Sequence, residues 1–139
     1  MADLDPFIHL DQMGDFVRDM HTASGLLEEL PHGIALADAE QQVLDFITSY
    51  VKEPRKAALA GNSVGTDRTF LVRDMPQVES HLHYRNVDVS SFKEVIRRWH
   101  PAEYSPPPKK NKHEALSDIH ESLDELRYYR DRFIAPRAK

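Results

Sequence analysis

Only two stretches of this chain read as β-strands, residues 57–60 and 87–89, and both are short. The first is an apolar run ended by Gly61-Asn62; the second is the run Val87-Asp88-Val89. Two such strands do not make a stable sheet alone, so the shortage hints that part of the fold is missing. The apolar spacing predicts where the helices are. Met13, Phe16, Val17 and Met20 recur at three- and four-residue intervals, giving a short helix that ends before Gly25. Leu36, Val43, Leu44, Ile47, Tyr50 and Val51 form one stripe of a helix over 36–51, which Pro54 stops. Residues 67–82 read as a helix interrupted near Pro76, and Ser90 can cap a helix carrying Phe92, Val95, Ile96 and Trp99. A proline- and lysine-rich loop over 101–112 leads to a last helix over 113–133, with Leu116, Ile119, Leu123, Leu126, Tyr129 and Phe133 along one side. The order is helix, helix, strand, helix, strand, helix, loop, helix, which is an α/β class with few strands.

Bulk properties narrow the function classes. At 139 residues, 40% hydrophobic and 29% charged, the chain is expected to be one soluble domain spanning 1–139. A formal charge of −5 argues against holding long nucleic acid by bulk electrostatics, although a short oligonucleotide can still be gripped by a few placed residues. Without cysteine there is neither a disulfide nor a thiolate zinc site. No apolar run reaches membrane-spanning length, and the start has no secretion-signal pattern, so the expectation is a cytoplasmic protein with no membrane partner. The histidines at 9, 32, 81, 100 and 120 show no ligand spacing and read as surface residues.

Three blocks can carry chemistry. Gly61-Asn62-Ser63-Val64-Gly65-Thr66-Asp67 runs from a strand through a turn into a helix, presenting backbone N–H groups and one carboxylate to a cleft. An acid in a first helical turn also needs no function, because it favours the helix dipole. His113 and Asp118 form the second block. In regular helix their side chains diverge by about 140°, so they converge only if His113 lies on the loop before the helix. An imidazole there, with an ordinary pKa near neutrality, suits a general base. The third block is His83-Tyr84-Arg85 followed by Asp88 and Ser90-Ser91. Arginine with hydroxyls suits a terminal phosphate, and tyrosine offers a face for a base to stack on.

Taken in order, Asp19-Met20-His21-Thr22-Ala23-Ser24-Gly25-Leu26, then residues 61–76, 81–91 and 113–133, resemble the oligoribonuclease family of DEDDh exonucleases, in its actinobacterial form. The resemblance implies an RNase H-like fold and 3′-to-5′ hydrolysis of short single-stranded oligoribonucleotides, down to dinucleotides, with two divalent cations, Mg²⁺ or Mn²⁺. It implies Asp67 and Asp118 as metal ligands and His113 as the general base. Ser63, Arg85 and Ser90 match residues that cap the substrate's 5′ phosphate. Tyr84 matches a tyrosine contributed across a homodimer interface. Phe16 falls where members carry a base-stacking aromatic, and His21 matches the histidine of the block after it.

One departure is large. The family opens on a strand ending in Asp-x-Glu-Met-Thr-Gly and a hairpin, which nothing here matches. Asp3 and Asp5 form an Asp-x-Asp, but too few residues separate them from Met13 to rebuild that hairpin. The expectation is an N-terminally incomplete member with two of the four acids, weak or inactive as a nuclease and prone to association. The alternative is a non-catalytic oligonucleotide-binding or dimerisation module.

Overall fold

The computed structural model describes residues 12–106 and 115–134. The chain divides into two units, Met1–Gly33 and Ile34–Lys139. In the first, helix α1 (Asp15–Ala23) is followed by a short α2 (Leu26–Glu29) and a 3-10 turn (Leu30–His32). Gly25, at φ 77°, makes the left-handed break between α1 and α2.

The second unit holds α3 (Leu36–Tyr50), β1 (Ala58–Gly61), α4 (Val64–Asp74), α5 (Pro76–His81), β2 (His83–Asp88), α6 (Val89–Trp99) and α7 (Ala115–Phe133). The two strands pair in parallel, and their last residues, Gly61 and Asp88, are partners in the register. The strand-to-helix step after β1 is tight: a Cβ on Gly61 would stand 2.8 Å from Val64 Cγ1. The pairing slips between Ala58 and Leu59.

The break expected near Pro76 occurs there and separates α4 from α5. Glu40, buried on α3, receives Gln77 N–H at 2.6 Å and Val78 N–H at 3.4 Å, supplying the start of α5 with the acceptors its free amides need. Arg68 binds Glu79 and Asn86 at 2.8 and 2.7 Å, tying α4 to α5 and β2.

Val89, Ile96 and Tyr129 form a buried cluster, with Phe92, Leu126 and Phe133 packed on it. Inside this core Glu125 is fully buried and accepts the Tyr129 hydroxyl at 2.7 Å and the Asn62 amide at 3.2 Å, with Lys93 Nζ at 4.0 Å. Burial first, and the Glu125 bond next, push the Tyr129 hydroxyl well above the usual tyrosine range.

Several expectations need correction. β2 begins at His83, well before the predicted 87–89, because the register with β1 recruits polar residues whose alternation is weak. The N-cap of α6 is Asp88, whose carboxylate accepts Ser90 N–H; Ser90 itself is inside the helix. His81 is buried and bonds Val51 O at 3.0 Å, so it is no surface histidine. The α7 stripe is buried only toward its C-terminal end; Leu116 and Ile119 are 68% and 56% exposed. No helix among the described residues is long and apolar enough to cross a membrane.

Candidate functional site

Parallel strands that end together and pass into helices open a crevice beyond their carboxyl ends. Here β1 passes through Asn62 and Ser63 into α4, while β2 passes directly into α6. Ser63 takes a left-handed backbone conformation, φ 54° and ψ 32°, which a non-glycine residue holds only when its surroundings enforce it. Its N–H donates to Asp88 Oδ1 at 2.9 Å. The same oxygen accepts Ser90 N–H at 2.9 Å and the Ser90 hydroxyl at 2.6 Å. The Ser63 and Ser90 hydroxyls are thereby brought to 3.4 Å of each other. Partial burial works against the Asp88 charge, but these bonds and one from Ser91 N–H prevail and hold its carboxyl below the usual aspartate range.

Next to this turn lies a cleft of about 950 Å³. Asp67, in the first turn of α4, and Asp118, in the first turn of α7, both line it, together with Asn62, Glu121 and Ser122. The rest of its wall is apolar, including Leu59, Phe70, Ile119 and Leu123. Both aspartates are exposed. Each sits where a helix dipole favours negative charge. Asn62 joins the two parts of the site, donating to Ser122 Oγ at 3.0 Å and to Glu125 on the same face of α7.

The expected residues therefore separate into groups. Ser63 and Ser90 come together at the strand ends, and Asp67 and Asp118 share one cleft. Arg85 is engaged elsewhere: its guanidinium lies 5.2 Å from the centre of the Tyr84 ring, which also stacks on His83. Tyr84 is 65% exposed, as an aromatic available to another molecule has to be. Phe16 and His21 lie on α1 in the first unit, and Phe16 is exposed. His113 lies outside the described residues.

The sequence blocks included Asn62 and Asp88 without giving either a role, and Glu121 and Glu125 were missed as parts of the site. For the α7 residues a signal was present: Asp118, Glu121, Ser122 and Glu125 follow a three-four-seven spacing and so form a polar stripe on one helix face.

The metal requirement is not met by these residues. No group of three or more His, Asp or Glu among the described residues is placed to hold a metal ion. Asp67 and Asp118 bring two negative charges, against four positive ones on a pair of divalent cations that each take about six oxygen ligands. The described residues therefore fit part of such a centre and not the whole.

Comparison with known proteins gives the context. A family model for exonucleases (RNase T) matches residues 8–126. An oligoribonuclease of Cutibacterium acnes is 56% identical over 91% of this chain and 63% of its own length. That of Streptomyces coelicolor is 60% identical over 91% of the chain and 64% of its own. That of Mycobacterium avium is 51% identical over 96% and 66%. The chain thus spans less than two thirds of the length of these relatives. The helices packed around a parallel strand pair agree with an RNase H-like α/β fold, and with a match this extensive the chain belongs to the RNase T exonuclease family.

Proposed function

We propose that this chain is part of a 3′-to-5′ exoribonuclease of the oligoribonuclease type, which hydrolyses very short RNAs with divalent metal ions, Mg²⁺ or Mn²⁺. The observation that carries the reading is Asp67 and Asp118 lining one cleft, beside two serine hydroxyls held together at the strand ends. Serine hydroxyls and the Ser63 turn suit a terminal 5′ phosphate, and the cleft beside them is where the rest of a dinucleotide would lie. His113 is the proposed general base for the attacking water, and exposed Tyr84 the residue offered to a second copy in a homodimer. Both units belong to one exonuclease domain on this reading, since the family match runs through them. A cytoplasmic location goes with an RNA substrate of this kind.

The chain as given supplies a binding site and half of the acidic ligands, so it binds substrate better than it turns it over. No hydrolytic step is assigned to Asp67 and Asp118 alone. The non-catalytic reading, a binding or dimerisation module, is favoured by the same two-carboxylate count.

The test uses the purified chain with a 5′-phosphorylated RNA dinucleotide and Mn²⁺. Binding is expected, tighter than for the 5′-hydroxyl dinucleotide, with mononucleotide release far slower than by a complete relative such as the Cutibacterium acnes protein. Release at the relative's rate, abolished by His113→Ala, would show that this chain holds a working centre and would overturn the half-site account. Absence of any binding preference for the phosphorylated ligand would sink the substrate assignment.

A further inference from the structure

We infer that Asp88 is the positioning residue of the phosphate-binding turn: one of its carboxylate oxygens, bonded at once to Ser63 and Ser90, sets their hydroxyls side by side. The inference rests on the reading of Ser63 and Ser90 as the groups that hold a terminal phosphate.

Asp88 is the last residue of β2 and pairs with Gly61, the last residue of β1, so its side chain emerges where both strands stop. From there Oδ1 spans two turns that are remote in sequence, receiving Ser63 N–H at 2.9 Å, Ser90 N–H at 2.9 Å and the Ser90 hydroxyl at 2.6 Å. The bond to Ser63 N–H fastens a residue in the left-handed region, a conformation that serine does not keep unaided. The result is the 3.4 Å separation of the two hydroxyls, close enough to meet neighbouring oxygens of one phosphate.

A carboxylate beside an anion site looks unfavourable at first. Three donors on one oxygen disperse its charge, and two of them are backbone amides that stay in place when a ligand arrives. The Ser90 hydroxyl carries one hydrogen, which points to Asp88 here. On phosphate binding that hydrogen turns to the ligand, while the amide bonds keep both serines where they were. Asp88 thus acts through placement and does not touch the substrate.

The experiment compares binding of 5′-phosphorylated and 5′-hydroxyl dinucleotides to the full chain by calorimetry, with folding of each variant checked by circular dichroism. Asp88→Ser keeps a good helix cap, but its shorter side chain loses the reach to Ser63. It is expected to weaken the phosphorylated ligand about tenfold and leave the hydroxyl ligand unchanged. Asp88→Asn retains an acceptor oxygen at the same reach and is expected to recover most of that loss. If Ser63→Ala and Ser90→Ala lose the preference for phosphate while a folded Asp88→Ser keeps it, Asp88 has no positioning role although the phosphate reading survives. If Asp88→Asn loses as much as Asp88→Ser, the carboxylate acts through its charge and the placement argument is wrong. If the unaltered chain shows no preference, or neither serine variant changes it, the phosphate reading itself fails.

Discussion

The turn at Ser63 and the aspartates at 67 and 118 are neighbours built on opposite principles. At the turn, every group named is held by another: Asp88 by Ser63 and Ser90, Asn62 by Ser122 and by buried Glu125. In the cleft, the two aspartates stand exposed at the starts of their helices, among apolar side chains such as Phe70 and Ile119 that are themselves half open to water. The first region is preorganised by this chain alone. The second has two acids lining one cleft with no group of three or more acidic or histidine side chains among the described residues placed to hold an ion there. The held turn and the open cleft are therefore separable here, and among the described residues only the turn is fixed by side-chain hydrogen bonds.

That contrast can be broken from the held side first. Glu125→Ala removes the acceptor of a buried tyrosine hydroxyl and of Asn62, and is expected to cost about 3 kcal/mol in urea unfolding. A loss below about 0.5 kcal/mol would mean that the network does not hold the turn. Asp88→Ala removes a helix cap and the tie to Ser63, for an expected loss of about 1–2 kcal/mol. This loss depends on acidity with a definite sign. The Asp88 carboxyl is held below its ordinary value, so its stabilisation is present above about pH 4 and disappears as the pH falls through the lowered folded value. The unaltered protein and Asp88→Ala should therefore converge in stability at strongly acidic pH, which unfolding curves across pH 2–7 (a rough window) will test.

The open side should respond differently. Ile119→Lys places a charge on an exposed part of α7 and is expected to change stability by no more than about 0.5 kcal/mol, while reducing self-association in sedimentation velocity. A large loss of stability there would mean that the cleft is closed in solution. Asp67→Asn should have the smallest effect, within about 0.5 kcal/mol, because its carboxylate is exposed. If it proves strongly destabilising, the cleft is as tightly held as the turn and the contrast disappears.

Much of the fold was legible because its signals are local. Pro76 marks the break between α4 and α5, and the stripe from Leu36 to Tyr50 delimits α3. β2 was harder: His83, Arg85 and Val87 alternate with Tyr84, Asn86 and Asp88, so neither face is consistently apolar. The cap of α6 was misassigned because aspartate and serine are both good caps, and only the strand pairing decides between Asp88 and Ser90. Within the site, Asp67 and Asp118 were linked by family resemblance, since nothing local in the sequence brings α4 and α7 to one cleft. Glu125 was invisible as a core residue because a carboxylate is ordinarily a surface choice. Its burial depends on Asn62 from the turn after β1 and Lys93 from α6 meeting Tyr129, one turn further along α7 itself.

Gly61 has a bearing on the acids that no hydrogen bond reveals. Val64 Cγ1 lies only 2.8 Å from where a methyl group on Gly61 would go, so the first side chain of α4 packs directly over the end of β1. Ser63 and Asp67 lie at either end of the helical turn that follows, about 6 Å apart along the axis. An alanine at 61 would collide with Val64 Cγ1, so either the Val64 side chain turns away or the start of α4 moves, with Ser63 and Asp67 moving together. The spacing between the Ser63 hydroxyl and the Asp67 carboxylate would survive such a movement, but their alignment with α6 and α7 would not.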